Sequence, residues 1–399
     1  MAKKAQSKAE PAGKKRVDVH YLTRVEGHGN IVVEIEADGR VSACRWEVPE
    51  APRFFEAMLI GRDYRDVHHI VSRICGICSI GHQLAATHKD AVLKLVAARR
   101  MSNEFCRLVC GRTTHPQRMA PGGWMKIPTP EDLASLRKML VDSVPNLNFA
   151  VDLVASLAGK IPAFERKTEY VALVSPTDYA LYWGEIGSSL DERHPVRDYK
   201  SVTREYCVPQ STAKWTKNMA ESYMVGALAR FNLNAEKLTP GAAAAAKKLG
   251  LDKGCTNPFM NTVAQLVECV HSVEDSLAII DQLLARGLRE EELPPVRLKA
   301  GKGAGAVEVP RGVLFHAYEY DDKGRIFAAD CVIPTNQNHA NIQKDMEALV
   351  PTLAKKSEAE IELILSMLVR AYDPCISCST HTLDLRPGQE KKLVRFVRK

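Results

Sequence analysis

The sequence predicts an α+β fold that is predominantly α: a single large helical-core domain with peripheral β-hairpins and a metal site where the N- and C-terminal segments meet. Three observations carry this expectation. Several long stretches repeat apolar residues at helical spacing. Two shorter stretches alternate around tight glycine turns. Two Cys-x-x-Cys pairs, Cys75/Cys78 and Cys375/Cys378, lie near opposite ends of the chain, so an ion held by all four sulfurs draws those ends together. No internal repeat and no interdomain linker interrupts the pattern.

Taken in order, residues 1–16 read as a disordered basic tail. They hold Lys3, Lys4, Lys8, Lys14, Lys15 and Arg16 against Glu10 alone, with few large apolar groups. Most of the net charge of +7 sits there, so the charge is a property of the tail and gives no argument for nucleic-acid binding. Residues 32–36 and 41–48 flank Ala37-Asp38-Gly39 as a hairpin. Thr129-Pro130 is an N-cap followed by proline at the first helical position, and Thr239-Pro240 repeats it before an alanine run ending at Gly250. Residues 257–287 carry Val263, Leu266, Val267, Val270 and Val273 on one helical stripe. A second hairpin is expected from residues 313–320 and 325–334 around Asp321-Asp-Lys-Gly324. Residues 358–370 place Ile361, Ile364, Leu365 and Leu368 on one face, and Asp373-Pro374 stops that helix just before Cys375.

Composition narrows the class. Hydrophobic residues at 45% and charged residues at 26% fit an ordinary globular chain, which at this length buries a core without disulfide staples. The 11 cysteines show no dense secreted-type framework, which points to a reducing compartment or to metal use. No run of 18 apolar residues spans a membrane, and the start has no apolar signal region.

The cysteine pairs carry the chemistry. Residues 79–374 separate them, and closing so long a loop costs roughly 2–3 kcal/mol more than the loop of a zinc ribbon. His82 follows Cys78 by four residues, His381 follows Cys378 by three, and Asp373 precedes Cys375 by two. Acids and imidazoles beside thiolates suit proton handling at a redox or catalytic metal, with structural zinc as the competing reading.

The surrounding motifs resemble the large, catalytic subunit of nickel–iron hydrogenases. Arg73-Ile-Cys75-Gly-Ile-Cys78 with His82 matches the first cysteine element, and Asp373-Pro-Cys375-Ile-Ser-Cys378 with His381 the last. Arg24-Val-Glu26-Gly-His28, Pro310-Arg311-Gly312 with His316, and Pro334-Thr335 match three more, in order. The resemblance covers residues 17–381 and is nearest the cytoplasmic, cofactor-coupled branch (group 3). It implies reversible heterolytic cleavage of dihydrogen, with Cys75 and Cys375 as terminal nickel ligands and Cys78 and Cys378 bridging nickel to an iron that carries carbon monoxide and cyanide. It implies that His82 hydrogen-bonds a bridging sulfur, that Arg311 polarises dihydrogen over the metals, and that Glu26 takes the first proton. It places Pro334 and Thr335 at a cyanide ligand, in a turn, with Asp373 beside the cofactor. It assigns a magnesium ion to Glu56, the backbone carbonyl of Cys331, and His381. For Arg311 a buried Arg–carboxylate pair, and for Glu26 a pairing with Arg24, are the bland alternatives.

The same resemblance implies a small iron–sulfur partner subunit, further electron-transfer subunits, a maturation endopeptidase and nickel chaperones, and a cytoplasmic location unless a partner carries an export signal. Residues 382–399 read as an extension removed after His381 or retained as a basic tail. One departure stands out: the segment between His82 and Gly111-Arg-Thr-Thr-His115 is much shorter than the family's, and Asp90 is the only acid between His82 and Glu104. The alternative to an enzyme is a metal-free or zinc-stabilised relative serving as a structural subunit of a redox complex.

Overall fold

The structure is a computed structural model that describes residues 15–19, 22, 25–50, 59–63, 89–113, 115, 118–120, 122–292, 295 and 297–380, the side chains of 89–93 and 95–96 excepted. A three-stranded antiparallel sheet opens the chain, β1 (Lys15–Val19), β2 (Asn30–Ile35) and β3 (Val41–Glu47), in that spatial order. The expected hairpin is β2–β3. β1 is an added strand that begins two residues inside the segment expected to be tail, with Lys15 opposite Ile35 and Val19 opposite Ile31. Alternation buries Val17, Val19, Ile31, Val33 and Ile35.

Helices α1 (Lys89–Cys110) and α2 (Pro130–Ser156) follow. Thr129 caps α2 as its sequence predicts: its hydroxyl accepts from Asp132 N, and Asp132 reaches back to Thr129 N, a box worth about 1 kcal/mol. A mixed four-stranded sheet, which the sequence reading did not contain, is built from β4 (Glu169–Val174), β5 (Glu185–Ser188), β6 (Arg193–His194) and β7 (Tyr223–Met224) in the order β7-β4-β5-β6. Next come α3 (Ala227–Asn234), α4 (Pro240–Lys248) and the long α5 (Asn261–Arg286), whose stripe of Val263, Val267, Val270 and Val273 is buried.

The second expected hairpin is the β9–β10 pair of another three-stranded sheet: β8 (Gly301–Val309), β9 (Gly312–Tyr320) and β10 (Ile326–Val332). Pro334 does not end that hairpin or sit in a turn. It is the first residue of α6 (Pro334–Leu349), where a missing N–H costs nothing. Ser357 caps α7 (Glu358–Ala371) through a capping box with Glu360.

The largest apolar core lies between the β1–β3 sheet and helices α3 to α7. A second joins the β4 sheet to the β8–β10 sheet through Val171, Leu173, Ile186, Tyr223, Val313 and Phe315. Helix α6 runs through the middle. Its residues are buried except Lys344, Glu347 and Ala348, although most of its side chains are polar. All of its buried polar side chains but Asn336 are placed against a partner from another part of the chain. Asn338 accepts from Val225 N at 2.9 Å, and Gln343 accepts from Trp46 N at 2.7 Å. Asn341 Oδ1 accepts from Arg166 (2.6 Å), Thr168 (2.6 Å) and Ser222 (2.8 Å), and its amide donates to Tyr372 at 2.7 Å. Buried amides satisfied this way add little net energy but specify one arrangement. The arrangement sets the N-terminus of α6 behind the last cysteine pair.

Candidate metal centre

Helix α7 ends at Ala371, and Asp373 takes a left-handed backbone (φ 49°) that turns the chain before Pro374. Cys375 follows in extended backbone and Cys378 in the short 3-10 turn Ser377–Ser379, and both are buried. Their sulfurs lie side by side with Cα atoms 5.4 Å apart, so as thiolates the pair sits on one turn of backbone at chelating spacing. The N-terminal segment lies along this turn. Glu26 and Cys375 form a parallel β-bridge, and Ile376 N donates to Glu26 O at 2.8 Å. The Glu26 carboxylate faces inward: Oε2 lies 3.1 Å from Cys375 Sγ and accepts from Ser377 N at 3.1 Å, while Ser377 Oγ donates to Oε1. The carboxylate and the two sulfurs lie within 4.8 Å of one another. The two ends of the chain meet here.

Glycine makes the approach possible. Gly27 has φ +86°, and a Cβ there would lie 2.7 Å from Ser377 N and 2.9 Å from Ile376 Cβ. Beyond Gly27, exposed His28 pairs with Glu50, Nδ1 to Oε1 at 2.6 Å.

Arg311 stands on the tight connection between β8 and β9 and is buried. Its Nε donates to Asp373 O, and its Nη2 lies 3.4 Å from each oxygen of the Asp373 carboxylate. Burial pushes the Asp373 carboxyl up, against the pull of Arg311 and a hydrogen bond from Gln265. The pairing that was the bland alternative for Arg311 is therefore formed, and it ties the Pro310-Arg311-Gly312 connection to the cysteine turn. Thr335, in the first turn of α6, accepts from Cys375 N at 3.0 Å. Cys331, at the end of β10, is fully buried in one apolar cluster with Ile333, Cys375 and Cys378. Opposite it, His316 Nδ1 pairs with Tyr318 OH at 2.6 Å, and desolvation pushes the imidazole down to about 4.

Some of the sequence-predicted residues lie outside the described residues: Cys75, Cys78, His82, Glu56 and His381, with Arg24 and the 382–399 extension. Glu26, Arg311, Pro334, Thr335, Asp373, Cys375, Cys378 and Cys331 are described, and the fold brings them to one place. Sequence reasoning missed Ser377, whose signal was a hydroxyl between two cysteines. It also missed His339, whose imidazole accepts from Trp46 Nε1 at 3.0 Å and holds Ser379 Oγ at 2.8 Å beside Cys378. No sequence signal marks a histidine inside a polar helix.

The described donors fit a soft metal. Buried sulfurs suit it, and a carboxylate against a sulfur can take a proton that a bound substrate gives up. Asn336, fully buried at the start of α6, has both side-chain polar atoms without a hydrogen-bond partner among the described residues.

Similarity to known proteins bears on the same site. The profile of the family described as nickel-dependent hydrogenase matches residues 53–96 and 199–381, and one described as HoxL-like matches residues 16–51. The chain is 28% identical to the alpha subunit of sulfhydrogenase 1 of Pyrococcus furiosus, over 92% of this chain and 98% of the relative. That alignment spans 430 positions against the 399 residues here, so the relative carries residues this chain lacks. Identity to a subunit of the F420-non-reducing hydrogenase of Methanothermobacter marburgensis is 26%, over 92% and 95%. The fold matches that in a crystal structure of an NAD+-reducing [NiFe]-hydrogenase in its H2-reduced state, with a TM-score of 0.79 over 92% of this chain and 99% of that one at 24% identity. Together with the meeting of Glu26 and the last cysteine pair, these matches place the chain in the nickel-dependent hydrogenase large-subunit family, oxidoreductases that act on dihydrogen.

Proposed function

We propose that this chain cleaves dihydrogen heterolytically and reversibly at a nickel–iron centre held by Cys75, Cys78, Cys375 and Cys378. The observation that carries the reading is the half-buried Glu26 carboxylate 3.1 Å from Cys375 Sγ. Nickel and iron, with carbon monoxide and cyanide on the iron, would be held by the four cysteines and would supply soft redox chemistry for polarising dihydrogen. The chain's own residues then do four things. The Glu26 carboxylate takes the proton released beside the sulfur, with Ser377 holding one of its oxygens. Arg311 sets a permanent positive charge over the site, and Asp373 fixes the guanidinium plane. Thr335 has a hydroxyl proton to donate toward the iron's cyanide, with Pro334 pinning the helix start. His82 would donate a hydrogen bond to one of the cysteine sulfurs and tune its basicity.

Glu56, the Cys331 carbonyl and His381 form a magnesium site of hard oxygen and nitrogen donors. The catalytic domain takes in β1 from Lys15 and runs to 381, preceded by a basic tail, with 382–399 as an extension removed after metal loading by an endopeptidase. Nickel chaperones serve that loading. Electrons leave to a small iron–sulfur partner and on to further electron-transfer subunits, because no further Cys-rich motif for a relay cluster occurs in this chain. We place the protein in the cytoplasm; no helix among the described residues is long and apolar enough to cross a membrane.

The test is dihydrogen-dependent dye reduction by the co-purified protein, with Cys375→Ser and Cys378→Ser. A harder ligand disfavours nickel, so activity and nickel should be lost together. Wild-type activity in either variant would overturn the assignment.

A further inference from the structure

Behind the Pro310-Arg311 connection lies a buried charge cluster that the mechanism above does not use. Arg230, on α3, is 2% exposed. Its five N–H donors are all engaged. Nε and Nη2 grip Glu268 of α5 at 2.6 and 2.7 Å. Nη1 donates to Glu308 of β8 at 2.7 Å and to Val309 O at 2.9 Å. The last donor goes to Pro310 O at 3.2 Å. Tyr179 OH adds a bond to Glu268 at 2.8 Å, and Glu308 accepts from Leu173 N at 2.8 Å, which ties β8 to β4.

Two of those five bonds end on the carbonyls immediately before Arg311. Gly312, immediately after it, has φ +133°, and a Cβ there would strike Val225. The backbone that carries Arg311 is therefore clamped on one side by a guanidinium and pressed on the other against β7's continuation. A five-donor planar fork suits this position; a lysine has three donors on one point and cannot reach two carboxylates and two carbonyls together.

We propose that Arg230 is the positioning residue for Arg311: by holding Val309 O and Pro310 O it fixes the turn that aims the Arg311 guanidinium at Asp373 and the cysteine site. This rests on the proposed role of Arg311, and the test separates the two. A simple truncation leaves Glu268 and Glu308 unpaired in the core and endangers folding. The informative variants are Arg230→Lys and the uncharged triple Arg230→Met/Glu268→Gln/Glu308→Gln.

Both are measured in the holoprotein by hydrogen–deuterium exchange of the amides of residues 309 and 311–313, with the β2 amides as control, and by steady-state kinetics. The expected result is faster exchange at these amides with β2 unchanged, and a kcat lowered about 10- to 100-fold at an unchanged KM for dihydrogen. Wild-type exchange at these amides in either folded variant would overturn the clamp and leave Arg230 as a charge partner only. Arg311→Lys, measured alongside, reports on the other reading: an unchanged rate there removes Arg311 from catalysis, while the exchange result stands on its own.

Discussion

At Glu26 the chemistry rests on one carboxylate held in two directions. The Ile376 amide holds its backbone, Ser377 donates to both carboxylate oxygens, and Cys375 Sγ lies against Oε2. Glu26→Gln keeps the shape and removes the proton acceptor. Turnover should fall by two orders of magnitude or more, about the contribution of a positioned base, with the infrared carbon monoxide and cyanide bands unmoved. Arg311→Lys keeps the charge and loses the planar fork that meets Asp373; dihydrogen oxidation should drop about tenfold or more with nickel and iron retained, read by dye reduction and metal analysis. His339 makes a pH prediction. Burial pushes its imidazole down to about 3, while in the unfolded chain it titrates near 6.5. Between these values only the unfolded chain binds the proton, so stability falls as pH drops through that window, by up to about 1.4 kcal/mol per pH unit, and is fully present above it. Denaturant unfolding at pH 7, 6 and 5 should show this acid limb, and His339→Gln should flatten it by one proton.

Among the elements, those with local signals were the legible ones. Thr129-Pro130 and Thr239-Pro240 start helices, the Ala37-Asp38-Gly39 turn joins β2 to β3, and Asp373-Pro374 ends α7, because caps and turns are written in neighbouring residues. Helix α6 was not legible. Thr-Asn-Gln-Asn-His has no apolar stripe, so periodicity gives no reason to bury it. Its core position is fixed by partners such as Trp46, Ser222 and Tyr372, distant in sequence. The β4 sheet was missed for the same reason: β7 pairs with β4 across an intervening hairpin and loop. Asn341→Ala should therefore cost several kcal/mol, because Arg166, Thr168, Ser222 and Tyr372 each lose a buried partner. Ser357→Ala, a solvent-side cap on α7, should cost about 1 kcal/mol. Denaturant midpoints at a constant slope compare the two, and equal losses would contradict a specifying role for the polar core helix.

Across the whole molecule, the motifs predict Glu26, Arg311 and the last cysteine pair in one site, and the fold brings these together, while Cys75 and Cys78 lie outside the described residues. The clamp behind Arg311 was not legible: Arg230, Glu268 and Glu308 come from three separate elements, and any one of them alone reads as a surface charge. The fold gathers the described members of the first set at the last cysteine turn against the start of α6, and the Arg230 cluster stands behind the Pro310-Arg311 connection. The central claim is that the two ends of this chain close on nickel and iron together. Metal content of the co-purified protein tests it most directly. The account predicts nickel near one equivalent per chain, with iron in excess of it from the centre and the iron–sulfur partner, and nickel absent from Cys378→Ser. Zinc in place of nickel, or no metal in a fully folded wild-type chain, would contradict it.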